Sequence, residues 1–279
     1  MRSRRENGSS PRHALVTGSS QGLGRALAEE CASRGMNVFL VALPGSGLAD
    51  VAQGISERWN VRARWLEADL TEDDACNRLL EALDRDAFLV DLLVNNAGIG
   101  SIGTFADSPL SGHESVMCLN MLALTRLTHR MIPQLAGRAN AHILNVASLG
   151  AFFPMVSLPV YSATKSFVLT FSLALHEELR GSIGVGTLCP NTIRNDKATE
   201  EYVDQLPLVC RQACLYPSEI ARAGVDGLLR GKSIIVPGFI NKILRVIGPV
   251  VPRSLVTLAV RRLWGGFRDE ATHAVEAES

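Results

Sequence analysis

The chain reads as a single α/β domain built on a doubly wound parallel sheet. Three observations predict this. Apolar runs of strand length alternate with longer runs of helical period from residue 13 to residue 188. A glycine-rich stretch, Gly18-Ser19-Ser20-Gln21-Gly22-Leu23-Gly24, falls between the first such strand and the first such helix. At 279 residues, 47% hydrophobic and 20% charged, the chain has the size of one large α/β domain.

Each element follows in turn. His13-Ala14-Leu15-Val16-Thr17 is short, apolar and strand-like, and residues 25–32 have helical period. A glycine turn placed between the two lets backbone approach a pyrophosphate at a helix N-terminus. Residues 37–43 (NVFLVAL) form a second buried strand, 48–59 a helix, and 61–68 a third strand, with Asp69 and Leu70 at its end. Residues 71–85 are an amphipathic helix, and 88–94 a fourth strand running into Asn95-Asn96-Ala97-Gly98. There Asn suits a turn, while Ala and Gly leave room for a ligand. A long helix over 113–135 carries Asn120 in its apolar middle, where a buried amide must find partners or kink the helix around a water. Residues 141–147 are the fifth strand, Ser148 stands at its end, and 150–159 is a loop. The run after it, to residue 179, reads as a helix. On it Tyr161 and Lys165 are four apart and share a face. A cation beside a phenol lowers its pKa towards neutrality and equips it for proton transfer. In a doubly wound sheet ligands bind at the carboxyl ends of the strands, and every motif above falls on that edge.

Charge and cysteines bound the partners. Lys+Arg and Asp+Glu both total 28, so no global field points to nucleic acid. The six cysteines are scattered without metal-type spacing, and the six histidines form no HxxxH or HExxH pattern, so no metal site is expected. Free thiols in a reducing, cytoplasmic compartment are the default. Residues 1–11 are basic and polar and read as a disordered leader.

The motifs Thr17-Gly18-Ser19-Ser20-Gln21-Gly22-Leu23-Gly24, Asn95-Asn96-Ala97-Gly98, Asn120, Ser148 and Tyr161-xxx-Lys165 resemble the set of the short-chain dehydrogenase/reductase family, in order and with the 13-residue step from Ser148 to Tyr161. The resemblance covers residues 12–237, on a Rossmann-type fold, and the later Pro217-Ser218-Glu219 and Val236-Pro237-Gly238 are similar to bacterial acyl and ketone reductases and to microsomal-type ketoacyl reductases. It implies an NAD(P)-dependent oxidoreductase that interconverts a ketone and a secondary alcohol. Tyr161 would be its acid/base, Lys165 would tune that phenol and hold the nicotinamide ribose, and Ser148 would position the substrate oxygen. Asn120 would hold a water leading to Lys165. Gly18, Ser20, Gln21, Gly22, Leu23 and Gly24 would wrap the pyrophosphate. Asp69 and Leu70 would contact adenine. Asn95, Ala97, Gly98, Pro190, Thr192 and Ile193 would flank the cofactor.

The chain also departs from the family pattern. Cys189-Pro190-Asn191-Thr192-Ile193-Arg194-Asn195 replaces the usual Pro-Gly followed by Thr after the sixth strand, residues 183–188. Asn191 is expected to keep the turn by tolerating positive φ, and Asn195 stands where the family's Thr meets the carboxamide. After the second strand come Ala42, Leu43 and Pro44, neither the acid that holds a ribose 2′-OH nor the Arg that takes a 2′-phosphate. The missing acid tilts the expectation to NADP(H) over NAD(H). Phe152, Phe153, Met155 and Val156, with Tyr202, Leu206, Leu208 and Val209 from a covering segment over 194–215, predict an apolar pocket for a lipid-, polyketide- or steroid-like carbonyl. Residues 239–268 form an apolar and basic extension, and 239–264 suit either an interfacial membrane helix or packing on the protein. An acidic tail follows at 269–279. The helices around Asn120 and after Tyr161 resemble the family's dimerisation helices, so a homodimer or homotetramer is expected. The competing reading is a dinucleotide-binding regulator without turnover, against which the intact Asn120, Ser148, Tyr161 and Lys165 argue.

Overall fold

The computed structural model describes residues 12–100, 105–155 and 158–247, without the side chains of Tyr202 and Val209. The expected leader, the extension past residue 247 and the acidic tail lie outside these residues.

The elements alternate as the apolar periodicity requires. In order they are β1 (His13–Thr17), α1 (Gly22–Ser33), β2 (Asn37–Ala42), α2 (Leu48–Trp59), β3 (Ala63–Glu67), α3 (Ala75–Arg85) and β4 (Leu92–Asn95). There follow α4 (Leu110–Met117), a π-helical segment (Cys118–Ala123), α5 (Leu124–Ala136), β5 (Ala141–Val146), a 3₁₀ turn (Leu149–Phe152), α6 (Pro159–Glu178) and β6 (Ile183–Leu188). The last are α7 (Lys197–Gln205), α8 (Leu208–Ala213), α9 (Pro217–Leu229), β7 (Ile234–Ile235) and α10 (Phe239–Ile247).

All seven strands are parallel, in the order β3-β2-β1-β4-β5-β6-β7. The winding reverses between β1 and β4, which opens a crevice at their carboxyl ends. The inner strands are covered on both faces, so near-continuous apolar runs are what a parallel sheet demands, whereas edge strand β3 leaves Arg64 and Trp65 exposed. Leu15, Phe39, Leu93, Ile143 and Val185 are register neighbours on the face packed against α3, α5 and α6. Val16, Leu40, Val94 and Leu144 line the opposite face under α1, α2 and α9.

Three departures from the sequence expectations have local causes. Phe88 and Val90 are buried, but the backbone turns at Ala87 (φ 48°) and pairs as a strand only from Leu92. The apolar run at 88–90 fills core space, with Phe88 edge-on to Phe39 at 5.4 Å between centroids. The expected helix over 113–135 starts at Leu110 and contains the π-helical segment around Asn120, where a wider turn accommodates the buried amide. Asn191 is not among the described residues with positive φ. It serves the turn differently, donating from Nδ2 to Asn241 Oδ1 at 3.0 Å.

Candidate active site

The crevice at the switch point is a cleft of about 1500 Å³. The end of β1, the start of α1, the end of β4, Ser148, α6 and the residues after β6 form its walls. One wall is a backbone cradle. A Cβ on Gly24 would fall 1.9 Å from the Gly18 carbonyl oxygen, so only glycine lets α1 begin this close to β1. The Asn96 amide closes the cradle from β4, donating to the carbonyls of Thr17 at 2.9 Å and Gly18 at 3.1 Å. Thr17 Oγ1 accepts from the backbone N–H groups of Asn96 and Ala97, both at 3.0 Å. The result is a rigid turn opening onto a helix N-terminus, which can hold a pyrophosphate. Gly18, Ser20, Gln21, Gly22, Leu23 and Gly24 all line it, as do Asp69, Leu70, Ala97, Gly98, Pro190, Thr192 and Ile193. The Ser46 hydroxyl is buried on the wall beyond β2, without a hydrogen-bond partner among the described residues. A free buried donor beside the cradle fits a dinucleotide that brings an oxygen to it.

Opposite the cradle sits a buried polar cluster. Proline at N1 and Leu158 at the N-cap start α6 two residues before Tyr161. The helix therefore already holds Tyr161 and Lys165 on one face. Tyr161 lines the cleft together with Ser148, which stands just past the end of β5 and whose Oγ accepts from Gly150 N–H at 3.1 Å. Lys165 is only 5% exposed. Its Nζ donates to the Val146 carbonyl at 3.0 Å and lies 5.7 Å from the centroid of the Tyr161 ring. Asn120, 1% exposed, stands behind them. Its Oδ1 accepts from Ile99 N–H at 2.9 Å, and its Nδ2 donates to Ile99 O at 2.9 Å and Thr164 Oγ1 at 3.0 Å. Gly98 separates this cluster from the cradle. A Cβ there would stand 2.9 Å from Asn120 Oδ1 and 3.1 Å from Lys165 Nζ.

The electrostatics correct one expectation. Tyr161 is not lowered by its neighbour. Burial raises its pKa, and the Ser148 hydroxyl only partly opposes that. Burial instead pushes Lys165 down from 10.5 to about 8. Desolvation disfavours the charged form of both groups, and at this separation it outweighs their mutual attraction. At neutral pH the phenol keeps its proton, which is the form an acid needs.

Other residues fall differently from expectation. Asn95 is absent from the cleft wall. It is 3% exposed and donates into the core, to Thr128 Oγ1 at 2.9 Å and Asn145 Oδ1 at 2.8 Å. Asn145 in turn donates to Ser172 Oγ of α6 at 2.8 Å. Asn96, one position on, is the residue that faces the glycine cradle. Met155 lines the cleft, but Phe152 and Phe153 pack against the neighbouring core, and Val156 lies outside the described residues. Leu206 and Leu208 do not reach the cleft wall either; its apolar side comes from Ile99, Leu119, Met155 and Leu158. The sequence also concealed an acid near the end of β2. Glu67 is the register partner of Ala42, and its Oε2 accepts from Gly45 N–H at 3.2 Å. All six cysteines are free thiols.

Comparison with known proteins agrees with this geometry. The chain is 33% identical over 171 residues to the very-long-chain 3-oxoacyl-CoA reductase of Rattus norvegicus, covering 60% of this chain and 54% of that protein. It thus spans about half the length of that curated relative. To the 3-oxoacyl-[acyl-carrier-protein] reductase of Aquifex aeolicus it is 30% identical over 203 residues, covering 70% of this chain and 82% of the relative. Among solved structures, a short-chain dehydrogenase from Sphingobium yanoikuyae in complex with NADPH superposes with a TM-score of 0.73 at 30% identity, covering 85% of this chain and 92% of that one. The model of the short chain dehydrogenase family matches residues 12–205, well over half of the sequence, and the chain belongs to that family.

Proposed function

We propose that the protein is an NAD(P)(H)-dependent oxidoreductase that interconverts a ketone and a secondary alcohol on an apolar, acyl- or steroid-like substrate. The observation that carries this reading is the placement of Tyr161, Lys165 and Ser148 together on the wall facing a glycine cradle fit for a dinucleotide. The coenzyme, when bound, supplies the hydride.

The chain's own residues handle the substrate oxygen and the proton. Ser148 donates a hydrogen bond to the carbonyl oxygen and holds it beside the phenol. Tyr161, protonated at neutral pH, gives its proton to that oxygen as negative charge develops on it. Lys165 then restores the balance with its ammonium, which the Val146 carbonyl aims towards the ring. Both amide hydrogens of Asn120 are committed to Ile99 and Thr164, so its side chain can offer a water only the spare lone pair of Oδ1. Ile99, Leu119, Met155 and Leu158 favour an apolar chain at the substrate end, in keeping with relatives named for oxoacyl substrates. Met117 and Leu122, 39% and 51% exposed beside α5, suit the interface of a homodimer or homotetramer.

For the coenzyme we favour NADP(H), supported by the missing acid after β2, the unpartnered Ser46 hydroxyl and the NADPH-bound structural relative. Glu67 supports a second reading, since a carboxylate beside Gly45 would repel a 2′-phosphate and suit NAD(H). The test measures coenzyme oxidation with 3-oxoacyl thioesters and bulky ketones, using NADPH and NADH in parallel and Tyr161→Phe as control. Turnover that the control loses by ~10²–10⁴ is expected. A control as active as the parent would overturn the reading.

A further inference from the structure

We infer that α10 is an interfacial helix that lays its outer face on an anionic lipid surface, with the substrate end of the cleft beside it. The helix is built inside out for a soluble protein. Its one fully buried side chain is polar: Asn241, 1% exposed. Asn241 Nδ2 donates to the carbonyls of Ala213 and Pro237, each at 2.8 Å, and its Oδ1 accepts from Asn191. These bonds fix the rotation of the helix about its axis. Phe239, Ile243, Val246 and Ile247, at i, i+4, i+7 and i+8, consequently point outwards together and are 76%, 40%, 67% and 52% exposed. Single exposed apolar side chains are ordinary, whereas a contiguous patch on a fixed face marks a contact.

Charge selects the occupant. Seven basic residues and no acid occur between Lys232 and Arg268. Lys242 is exposed at the edge of the apolar face. A second copy meeting this face across a two-fold axis would bring like charges together. An anionic bilayer would match them, because the apolar face enters the headgroup boundary while basic residues meet lipid phosphates. Among the described residues no helix is long and apolar enough to cross a membrane, which agrees with a helix lying in the surface.

The position of α10 gives the contact a use. Asn191, which bonds Asn241, lines the cleft, and Arg245 lies 5.9 Å over the ring of Phe152, in the 3₁₀ turn after Ser148. These contacts put α10 next to the cleft wall, so a substrate with an apolar tail would have only a short way to travel from lipid to Ser148. That delivery rests on the carbonyl-reductase reading; the lipid contact itself does not.

The experiment sediments the full chain with vesicles of phosphatidylcholine alone, or mixed with phosphatidylglycerol, at low and high salt. The parent is expected to partition onto the mixed vesicles and to leave them at high salt. Lys242→Glu, a change of two charges at about fivefold each, is expected to weaken partitioning roughly 25-fold. Val246→Glu is expected to weaken it at least roughly tenfold, since it puts a charge into the apolar face. Both variants keep the parent's melting temperature and its turnover of a water-soluble ketone. Tyr161→Phe still partitions, so loss of catalysis and loss of lipid binding are told apart. The proposal is overturned if the parent ignores mixed vesicles or neither variant alters partitioning. It is equally overturned if the variants only change the oligomeric mass in light scattering, which would assign the face to a second copy.

Discussion

Replacing Lys165 by Met removes the ammonium and keeps an unbranched stem of similar length in the same space. The structure sets the expected effect. Lys165 is 5% exposed, its ammonium is held by the Val146 carbonyl at 3.0 Å, and burial takes it from 10.5 to about 8. Below pH 8 both the folded and unfolded chains carry this proton, and the folded state bears the full cost of the buried charge. Between about 8 and 10.5 the unfolded chain binds a proton that the folded chain has lost, so stability rises with pH. The gain on reaching about pH 9.5 works out at roughly 2 kcal/mol, and the Met variant lacks it. Urea unfolding of both proteins near pH 7 and about pH 9.5 isolates this gain, because other titrating groups cancel in the difference. The parent is expected to gain on the variant by that amount as pH rises. A difference that stays constant, or moves the other way, would refute the placement of a buried, desolvated ammonium.

Ser148→Ala removes the donor to the substrate oxygen and is expected to lower kcat by ~10²–10³, measured in steady-state assays, with coenzyme affinity unchanged in titrations. Gly98→Ala forces a methyl to within 2.9 Å of Asn120 Oδ1 and 3.1 Å of Lys165 Nζ. It is expected to cost ~1–3 kcal/mol in chemical denaturation and to lower kcat by displacing Lys165. Asn145→Ala takes one of two acceptors from the Asn95 amide and the donor from Ser172 Oγ in the core, with an expected loss of about 1–3 kcal/mol in the same denaturation experiment.

The sheet was legible because a strand covered on both faces needs a mainly apolar run of strand length, as at 38–43 and, interrupted only by His142 and Asn145, at 141–147. The Tyr161, Lys165 and Ser148 cluster was legible because helical spacing and strand-end positions bring those residues to one edge of the sheet. What escaped depends on quantities that a linear reading does not contain. Asn95 and Asn96 are alike in chemistry, and only the alternation of side chains at the end of β4 sends one into the core and the other to the cradle. Glu67 is 25 residues from Ala42 in sequence, and becomes its neighbour only through the pairing of β2 with β3. The protonation of Tyr161 was misjudged because a neighbouring charge can be read from spacing, while desolvation sums over every atom packed around the ring. The π-helical turn at Asn120 adds room without altering composition, so periodicity alone passes over it.

The buried chain from Thr128 through Asn95 and Asn145 to Ser172 ties β4, β5, α5 and α6 together with polar bonds. Apolar replacement of any one member strips a buried bond from its neighbours, although Asn95 has two acceptors and Ser172 also donates to the Val168 carbonyl, so each single step away from this arrangement carries a cost. Drift is therefore slowed at the centre of the molecule, while the surfaces around it remain open to new sequence. It also means that α6, the helix bearing Tyr161, cannot detach from the sheet without breaking these bonds. Slow amide exchange in α6 would then report the opening of the whole protein.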